Sequence, residues 1–149
     1  MQHLKLWTVL LTTALSSCII SKKTTDNSIT SYVTKNVTSV KEAAVFAVSV
    51  TYDKSTKNFW AKDVVNKSMQ KKIASLGNEV IVTYSGSYYE IPDSNVTFKS
   101  MTLFGVTEII YDFAATPRHF NNNTENRKQY YFVKLADRIY YRRRQIPMM

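Results

Sequence analysis

Large apolar residues recur at every second position from Phe46 to Tyr52, opposite Val45, Ala47, Ser49 and Thr51. One side of this segment would be apolar and would carry Phe46, Val48, Val50 and Tyr52. A period of two with one apolar side is typical of a half-buried β-strand. The pattern therefore predicts a strand over Ala43 to Tyr52, and the polar residues that follow it predict a turn.

The spacing changes in the next segment, between Asn58 and Leu76. Its apolar residues recur at i, i+4, i+8 and i+11, namely Val65, Met69, Ile73 and Leu76. This period indicates one amphipathic helix, which Gly77 and Asn78 would end. Phe59 to Ala61 could form the first turn of this helix or a short strand before it.

The remainder of the chain has the composition of strands and turns. We expect a strand from Glu79 to Ile91, two strands or one bent strand across Gly105, and a closing hairpin from Gln129 to Ile146. This order predicts an α+β domain over residues 41–149, with a mainly antiparallel sheet and one amphipathic helix. A small β-barrel or sandwich with a short helix is the alternative.

The chain between Ile19 and Val40 shows no sustained hydrophobic period and is dominated by Ser, Thr, Lys and Asn. Segments of this composition behave as flexible linkers. We therefore expect residues 18–40 to include a tether that precedes the folded domain.

The first eighteen residues combine a polar start, the apolar segment Leu6 to Leu15 and two serines before Cys18. The apolar segment is ten residues long, whereas a membrane-spanning helix needs about 20. It is therefore typical of the hydrophobic region of a cleaved export signal.

Leu15, Ser16, Ser17 and Cys18 resemble the lipobox of bacterial lipoproteins. The resemblance implies that residues 1–17 are removed and that Cys18 carries a diacylglycerol and an amide-linked acyl chain, palmitate being typical. Since two or more acyl chains anchor a protein stably, this would tether the chain without a spanning helix. Ile19 after the cysteine favours the periplasmic face of the outer membrane. An ordinary secretory signal with an unmodified Cys18 is the alternative.

The cysteine count limits what the exported domain can use. Cys18 is the only cysteine, so the fold cannot contain an internal disulfide or a site of two thiolates. After removal of residues 1–17, His119 is the only histidine, and we expect it to lie in a solvated loop. We therefore expect no metal ion and no cofactor.

The chain carries 20 Lys and Arg against 11 Asp and Glu, for a net charge of +9. A basic surface attracts polyanions. For an exported protein, an anionic glycan or lipid is a more accessible partner than nucleic acid, which we do not expect to bind. An envelope protein is a further possible partner, and the sequence leaves the oligomeric state open.

Aromatic and basic residues alternate in the C-terminal hairpin. We consider seven of them candidate binding residues: Tyr130, Tyr131, Tyr140, Tyr141, Arg142, Arg143 and Arg144. Rings surrounded by guanidinium groups can form a stacking platform for a glycan or another polyanion. The structural alternative is that these residues pair across strands and protect a sheet edge. Burial of the tyrosines would exclude the platform.

No catalytic motif stands out in the chain. Glu108 and Asp112 form the best carboxylate pair, but four residues of strand separate them by about 13 Å, and we expect both to face solvent. A hydrolase would need two of Glu79, Glu90, Glu108 and Asp112 within about 10 Å. We therefore predict a lipid-anchored envelope protein with a small non-catalytic binding or scaffold domain. A polyanion- or glycan-binding module and an envelope-polymer hydrolase are the alternatives.

Overall fold

A computed structural model describes residues 26–52, 57–84, 94–102, 105–114 and 130–144. The chain divides into two compact units, residues 1–32 and residues 33–149. The described part of the first unit, residues 26–32, is helical. The second unit contains all six described strands.

The described residues form three α-helices, one 3₁₀ turn and six β-strands. Helix α1 spans residues 26–35, α2 spans Val37–Thr51, a 3₁₀ turn spans Ala61–Asp63 and α3 spans Lys67–Ala74. The strands are β1 Asn58–Trp60, β2 Glu79–Tyr84, β3 Ser94–Thr102, β4 Gly105–Asp112, β5 Tyr130–Ala136 and β6 Ile139–Arg144.

The six strands form one open antiparallel sheet in the order β1-β2-β3-β4-β6-β5. The chain crosses from β4 to the far edge, forms β5 there and returns as β6 between them. The predicted class, α+β with a mainly antiparallel sheet, is therefore confirmed. Because the described strands leave both edges open, they do not form the alternative barrel, and three helices accompany the sheet where one was expected.

The predicted strand over Ala43 to Tyr52 is wrong, because this segment belongs to α2. The buried residues of α2 recur at helical spacing: Val40, Ala43, Ala44, Ala47, Val48 and Thr51. Alanine has the highest helix propensity, and its small side chain lets the helix approach its neighbours closely. The alternation of period two arose because bulkier Val and Phe residues occupy both the buried and the exposed sides of the helix.

The predicted helix from Asn58 to Leu76 is shorter than expected. Phe59 pairs with Val80 in the sheet, so the alternative of a short strand is correct here. Helix α3 begins after Asn66, whose side chain accepts a hydrogen bond from the Met69 N–H at 3.1 Å. This N-cap fixes the start of the helix. Val65, which was expected on the buried side, is 90% exposed.

Residues 26–40, which the sequence analysis assigned to a tether, are helical apart from a turn at Asn36. Val33 and Val40 are completely buried. The folded unit therefore begins near Val33, earlier than the predicted boundary at residue 41. The predicted tether over residues 18–25 lies outside the described residues.

Both hairpins in the second half of the chain agree with the prediction from the sequence. Strands β3 and β4 are separate and pair from Asn95 with Asp112 to Thr102 with Gly105. Strands β5 and β6 turn at Asp137 and Arg138, where Arg138 adopts a φ of 60°. The pairing shifts by one residue between Lys134 and Ala136, which is a bulge next to the turn.

Gly77 connects the end of α3 to the sheet. A side-chain carbon at this position would lie 2.7 Å from the backbone nitrogen of Lys99 and from the backbone carbon of Phe98. Contacts this short with backbone atoms cannot be relieved by moving a side chain. The absence of a side chain at residue 77 therefore lets the helix end directly against β3.

Helix α2 packs on one face of the sheet and is fixed at its C-terminus by Lys57. The Lys57 ammonium donates hydrogen bonds to the carbonyls of Thr51 at 2.9 Å and Tyr52 at 3.2 Å. It also lies 4.9 Å from the ring centre of Tyr84, whose hydroxyl is 3.0 Å from the Thr51 hydroxyl. Since the last turn of α2 has no basic residue of its own, Lys57 supplies the positive charge that the helix dipole favours there.

We expect Lys57→Met to destabilise the domain by about 1 kcal/mol, because the last carbonyls of α2 lose a charged donor. Lys41→Met removes an exposed lysine from the second turn of the same helix and serves as the matched control. Urea unfolding monitored by circular dichroism measures both. Equal midpoints for the two variants would contradict the capping role.

Candidate functional site

Two of the four tyrosines of the predicted binding hairpin, Tyr140 and Tyr141, are not available as a stacking platform. Tyr140 is 3% exposed and Tyr141 is completely buried. They lie on opposite faces of the sheet: Tyr140 stacks on Phe132 at 5.8 Å, and Tyr141 meets the edge of Tyr131 at 6.1 Å. For Tyr130, only the backbone lies within the described structure. The platform prediction is therefore wrong for this pair, because their rings form part of the core.

The three arginines of the hairpin, which are consecutive in a strand, divide between the two faces of the sheet. Arg142 donates through Nε to Oε2 of Glu108, and Arg144 donates through Nη2 to Oε1 at 2.9 Å. Arg143 lies on the other face, opposite Thr107 and Tyr131. Two of the three guanidinium groups therefore contact the same buried carboxylate, whose single negative charge offsets one of the three positive charges.

Glu108 was expected to face solvent, and this expectation is wrong. Its side chain is only 4% exposed, and Asp112 is completely buried. The reason is the position of β4 at the centre of the sheet, where residues on both faces are buried. Asp112 Oδ1 accepts the Ala114 N–H at 3.0 Å, so this carboxylate shapes the end of the strand.

Charged side chains of alternating sign cross four neighbouring strands on the face opposite α2. Glu79 pairs in register with Lys99, Lys99 with Glu108, and Glu108 with Arg142. Lys99 Nζ lies 2.7 Å from Glu79 Oε2. We call Glu79, Lys99, Glu108 and Arg142, together with Arg144, the charged row. Each acid in the row contacts a cation, which lowers the cost of removing it from water.

The carboxylate pairs relevant to hydrolysis fall within this row. Glu79 and Glu108 are separated by one strand, which places their backbones about 10 Å apart. Lys99 lies between them, and each carboxylate forms its own ion pairs. Glu90 lies outside the described residues. The row has the geometry of a structural network, and hydrolysis stays an alternative prediction.

Two core tyrosines have altered acidity. Burial raises the pKa of Tyr140 above its ordinary value of 10.0, and the charges of Asp112 and Asp137 raise it further. Burial likewise raises the pKa of Tyr111. Both phenols therefore stay neutral well above physiological pH, so they contribute no negative charge to this end of the sheet.

A cavity of about 710 Å³ lies between α2 and the segment that links β1 to α3. We call it the apolar cavity. Its walls are formed by Phe46, Val50, Thr51, Asn58, Phe59, Asp63, Val64, Val65 and Asn66. Cavities of roughly 300 to 1,000 Å³ with apolar walls and a few polar groups are typical of small-molecule sites. Its size and lining make it the strongest candidate site in the described structure.

The walls of the apolar cavity are apolar on the helix side and polar at the start of α3. Phe46, Val50 and Phe59 are only half-buried, so apolar surface remains available to a ligand. Asp63 and Asn66 are exposed. The Asn66 side-chain oxygen caps α3, which leaves its amide group able to donate. This arrangement suits a ligand with an apolar body and a polar end.

Sequence reasoning missed this cavity because its walls come from two segments whose structures were assigned incorrectly. Phe46 and Val50 were placed in a strand, and Val65 was placed on the buried side of a helix. The signal that could have revealed the site is the surplus of bulky apolar residues in Val45 to Val50. Such a surplus provides more apolar surface than one helix face can bury.

The remaining predictions concern Cys18, His119, metal binding and the membrane. Cys18 and His119 lie outside the described residues. Within the described ranges, no group of three or more His, Cys, Asp or Glu side chains could hold a metal ion. None of the described helices is long and apolar enough to cross a membrane.

Comparison of the chain with protein-family models, with curated proteins and with solved structures found no match.

We expect Glu108→Gln to destabilise the domain by about 3 kcal/mol, because Arg142 and Arg144 both lose the buried negative charge that they contact. Glu79→Gln is the matched control: it removes a carboxylate from the same row with one cation partner and 16% side-chain exposure. Its expected cost is at most about 1 kcal/mol. Urea unfolding measures both free energies, and a Glu79→Gln cost as large as that of Glu108→Gln would argue against this role for Glu108.

Proposed function

We propose that this protein is a lipid-anchored component of the bacterial cell envelope whose domain binds an amphipathic lipid in the apolar cavity, without catalysis. The periplasmic face of the outer membrane is its proposed location. The anchor is supported by the lipobox-like Leu15 to Cys18 after a short apolar segment. The observation that carries the binding function is the cavity of about 710 Å³ between α2 and β1.

The physical argument for a lipid starts from the cavity walls. Phe46, Val50 and Phe59 present apolar surface that water solvates poorly, so an acyl chain that covers them gains about 25 cal/mol for each Å² removed from water. Asp63 and the amides of Asn58 and Asn66 can bond a polar head group. If acyl chains anchor the protein to a membrane, the cavity would be exposed to lipids at high local concentration.

The earlier alternatives have less support. The C-terminal hairpin cannot bind a polyanion through Tyr140 and Tyr141, which are buried. Hydrolysis would require a carboxylate to leave the ion pairs of the charged row. A scaffold role without a ligand would be compatible with the fold, but it gives no reason for half-buried Phe46, Val50 and Phe59 around one cavity.

The anchor is tested by the intact mass of the protein purified from membranes, beside a Cys18→Ser variant. We expect the wild-type mass to equal residues 18–149 plus a diacylglycerol and an amide-linked acyl chain, and the variant to lack these groups. A soluble product with an unmodified Cys18, or a chain that retains Met1, would overturn the proposed anchor.

The cavity is tested with a dansylated undecanoic acid, whose fluorescence rises when it leaves water. We expect saturable binding to the purified chain and competition by palmitate. Val50→Phe fills the cavity and should weaken binding about tenfold, since overpacking a site costs roughly 1–3 kcal/mol. Val37→Phe enlarges a partly exposed residue of the same helix that does not line the apolar cavity. Equal binding by both variants, or no saturable binding, would refute the proposal.

A further inference from the structure

A second concave surface surrounds Trp60, on the other side of the segment that lines the apolar cavity. Phe59 pairs with Val80 on the helix-covered face of the sheet, so Trp60 projects from the opposite face. Here a cavity of about 650 Å³ is lined by Trp60, Ala61, Lys62, Gln70, Lys71, Ala74 and Asn78. We call it the Trp60 cavity.

Trp60 is 49% exposed, although it is the largest side chain in the described structure. An indole ring that remains half-exposed at a sheet edge offers a flat apolar surface to a partner. Ionic and amide groups surround it: Lys62, Lys71 and Asn78 are exposed, and Gln70 is half-buried. Such a cavity combines a stacking surface with donors for hydroxyl or carboxylate groups.

The walls of the Trp60 cavity are held by hydrogen bonds to the backbone. Gln70 Nε2 donates to the Lys62 carbonyl at 2.6 Å, which joins α3 to the 3₁₀ turn. The Ala61 N–H donates to the Asn78 carbonyl at 2.8 Å, and the Asn78 N–H donates to the Lys99 carbonyl at 3.0 Å. A ligand would therefore meet a site that is already formed, so it loses little affinity to ordering the protein.

The charge around the cavity is positive. Lys62 and Lys71 line it, and neither forms an ion pair with another residue in the described ranges. Glu79, which pairs with Trp60 across the two strands, is engaged by Lys99 at 2.7 Å. The two lysine charges are thus left for an external anion, in a chain of net charge +9.

We propose that the Trp60 cavity binds an acidic glycan. One sugar ring stacks on Trp60, and Lys62 and Lys71 bind carboxylates of the glycan. One face of a pyranose ring carries C–H groups that pack on an indole ring, and the hydroxyls at its rim match the amides of Gln70 and Asn78. The concave shape favours a glycan over a flat lipid surface. Access to such a glycan in the cell rests on the proposed envelope location, whereas binding in solution does not.

The fluorescence of Trp60 can report binding at this cavity. The chain has two tryptophans, Trp7 and Trp60, so Trp7→Phe in the full chain leaves Trp60 as the only one. Titration of this protein in neutral detergent with hexagalacturonate should change the Trp60 emission and saturate. The neutral N-acetylglucosamine hexamer of similar length should bind more weakly, because it lacks the carboxylates.

Variants in the Trp7→Phe background distinguish the contribution of ring stacking to binding from the contribution of charge. Lys62→Gln with Lys71→Gln should weaken hexagalacturonate binding about tenfold, since each exposed ion pair contributes up to about a fivefold change. Lys41→Gln, which removes a lysine that lines neither cavity, should leave it unchanged. By isothermal calorimetry Trp60→Ala should abolish binding and Trp60→Tyr should retain part of it. Circular dichroism confirms that each variant remains folded.

Four results would overturn the proposal. The site is excluded if the change in Trp60 emission does not saturate as hexagalacturonate is added. Equal binding of polyglutamate shows attraction by charge alone, without a sugar ring. Tighter binding of phosphatidylglycerol vesicles or of oligothymidylate assigns the surface to a membrane or to single-stranded nucleic acid. Because these measurements report binding at Trp60 in solution, they do not depend on whether the anchor or the lipid site is correct.

Discussion

Burial of β4 on both faces is the constraint on which the rest of this structure depends. Residues of β4 are covered on the side of α2 and on the opposite side, so a charged residue there loses its water wherever it points. Glu108 lies in this strand. Leaving an unpaired carboxylate in such a position would cost several kcal/mol. The neighbouring strand β6 therefore supplies two guanidinium groups to the same carboxylate.

This pairing determines which surfaces are left for function. Arg142 and Arg144 give the sequence its most basic segment, yet both are engaged by Glu108. The aromatic residues between them and the turn, Tyr140 and Tyr141, fill the two faces of the core. A hairpin with the composition of a polyanion-binding surface is thus largely internal. Lys62 and Lys71, by contrast, line a cavity at the opposite edge of the sheet.

That opposite edge combines the two candidate sites in one short segment. From Asn58 to Asn66 the chain forms an edge strand, a 3₁₀ turn and the cap of α3. Phe59 and Val64 line the apolar cavity, whereas Trp60 and Lys62 line the second one. A three-residue strand can place large side chains on both faces because few neighbours cover it. An anchored protein could thus bind a lipid and a polymer through adjacent surfaces.

The sequence by itself determined the local features that depend on neighbouring residues: the two hairpins, the antiparallel α+β class and the alternation of Arg142 to Arg144 between the two faces. The lipobox-like start also belongs to the sequence alone. Only the tertiary structure decided that Val37–Thr51 is a helix and that Glu108 is internal. It likewise decided that Phe46 and Phe59 share a cavity. The physical reason is that burial depends on which strand becomes central and which elements pack beside it, and distant parts of the chain decide both.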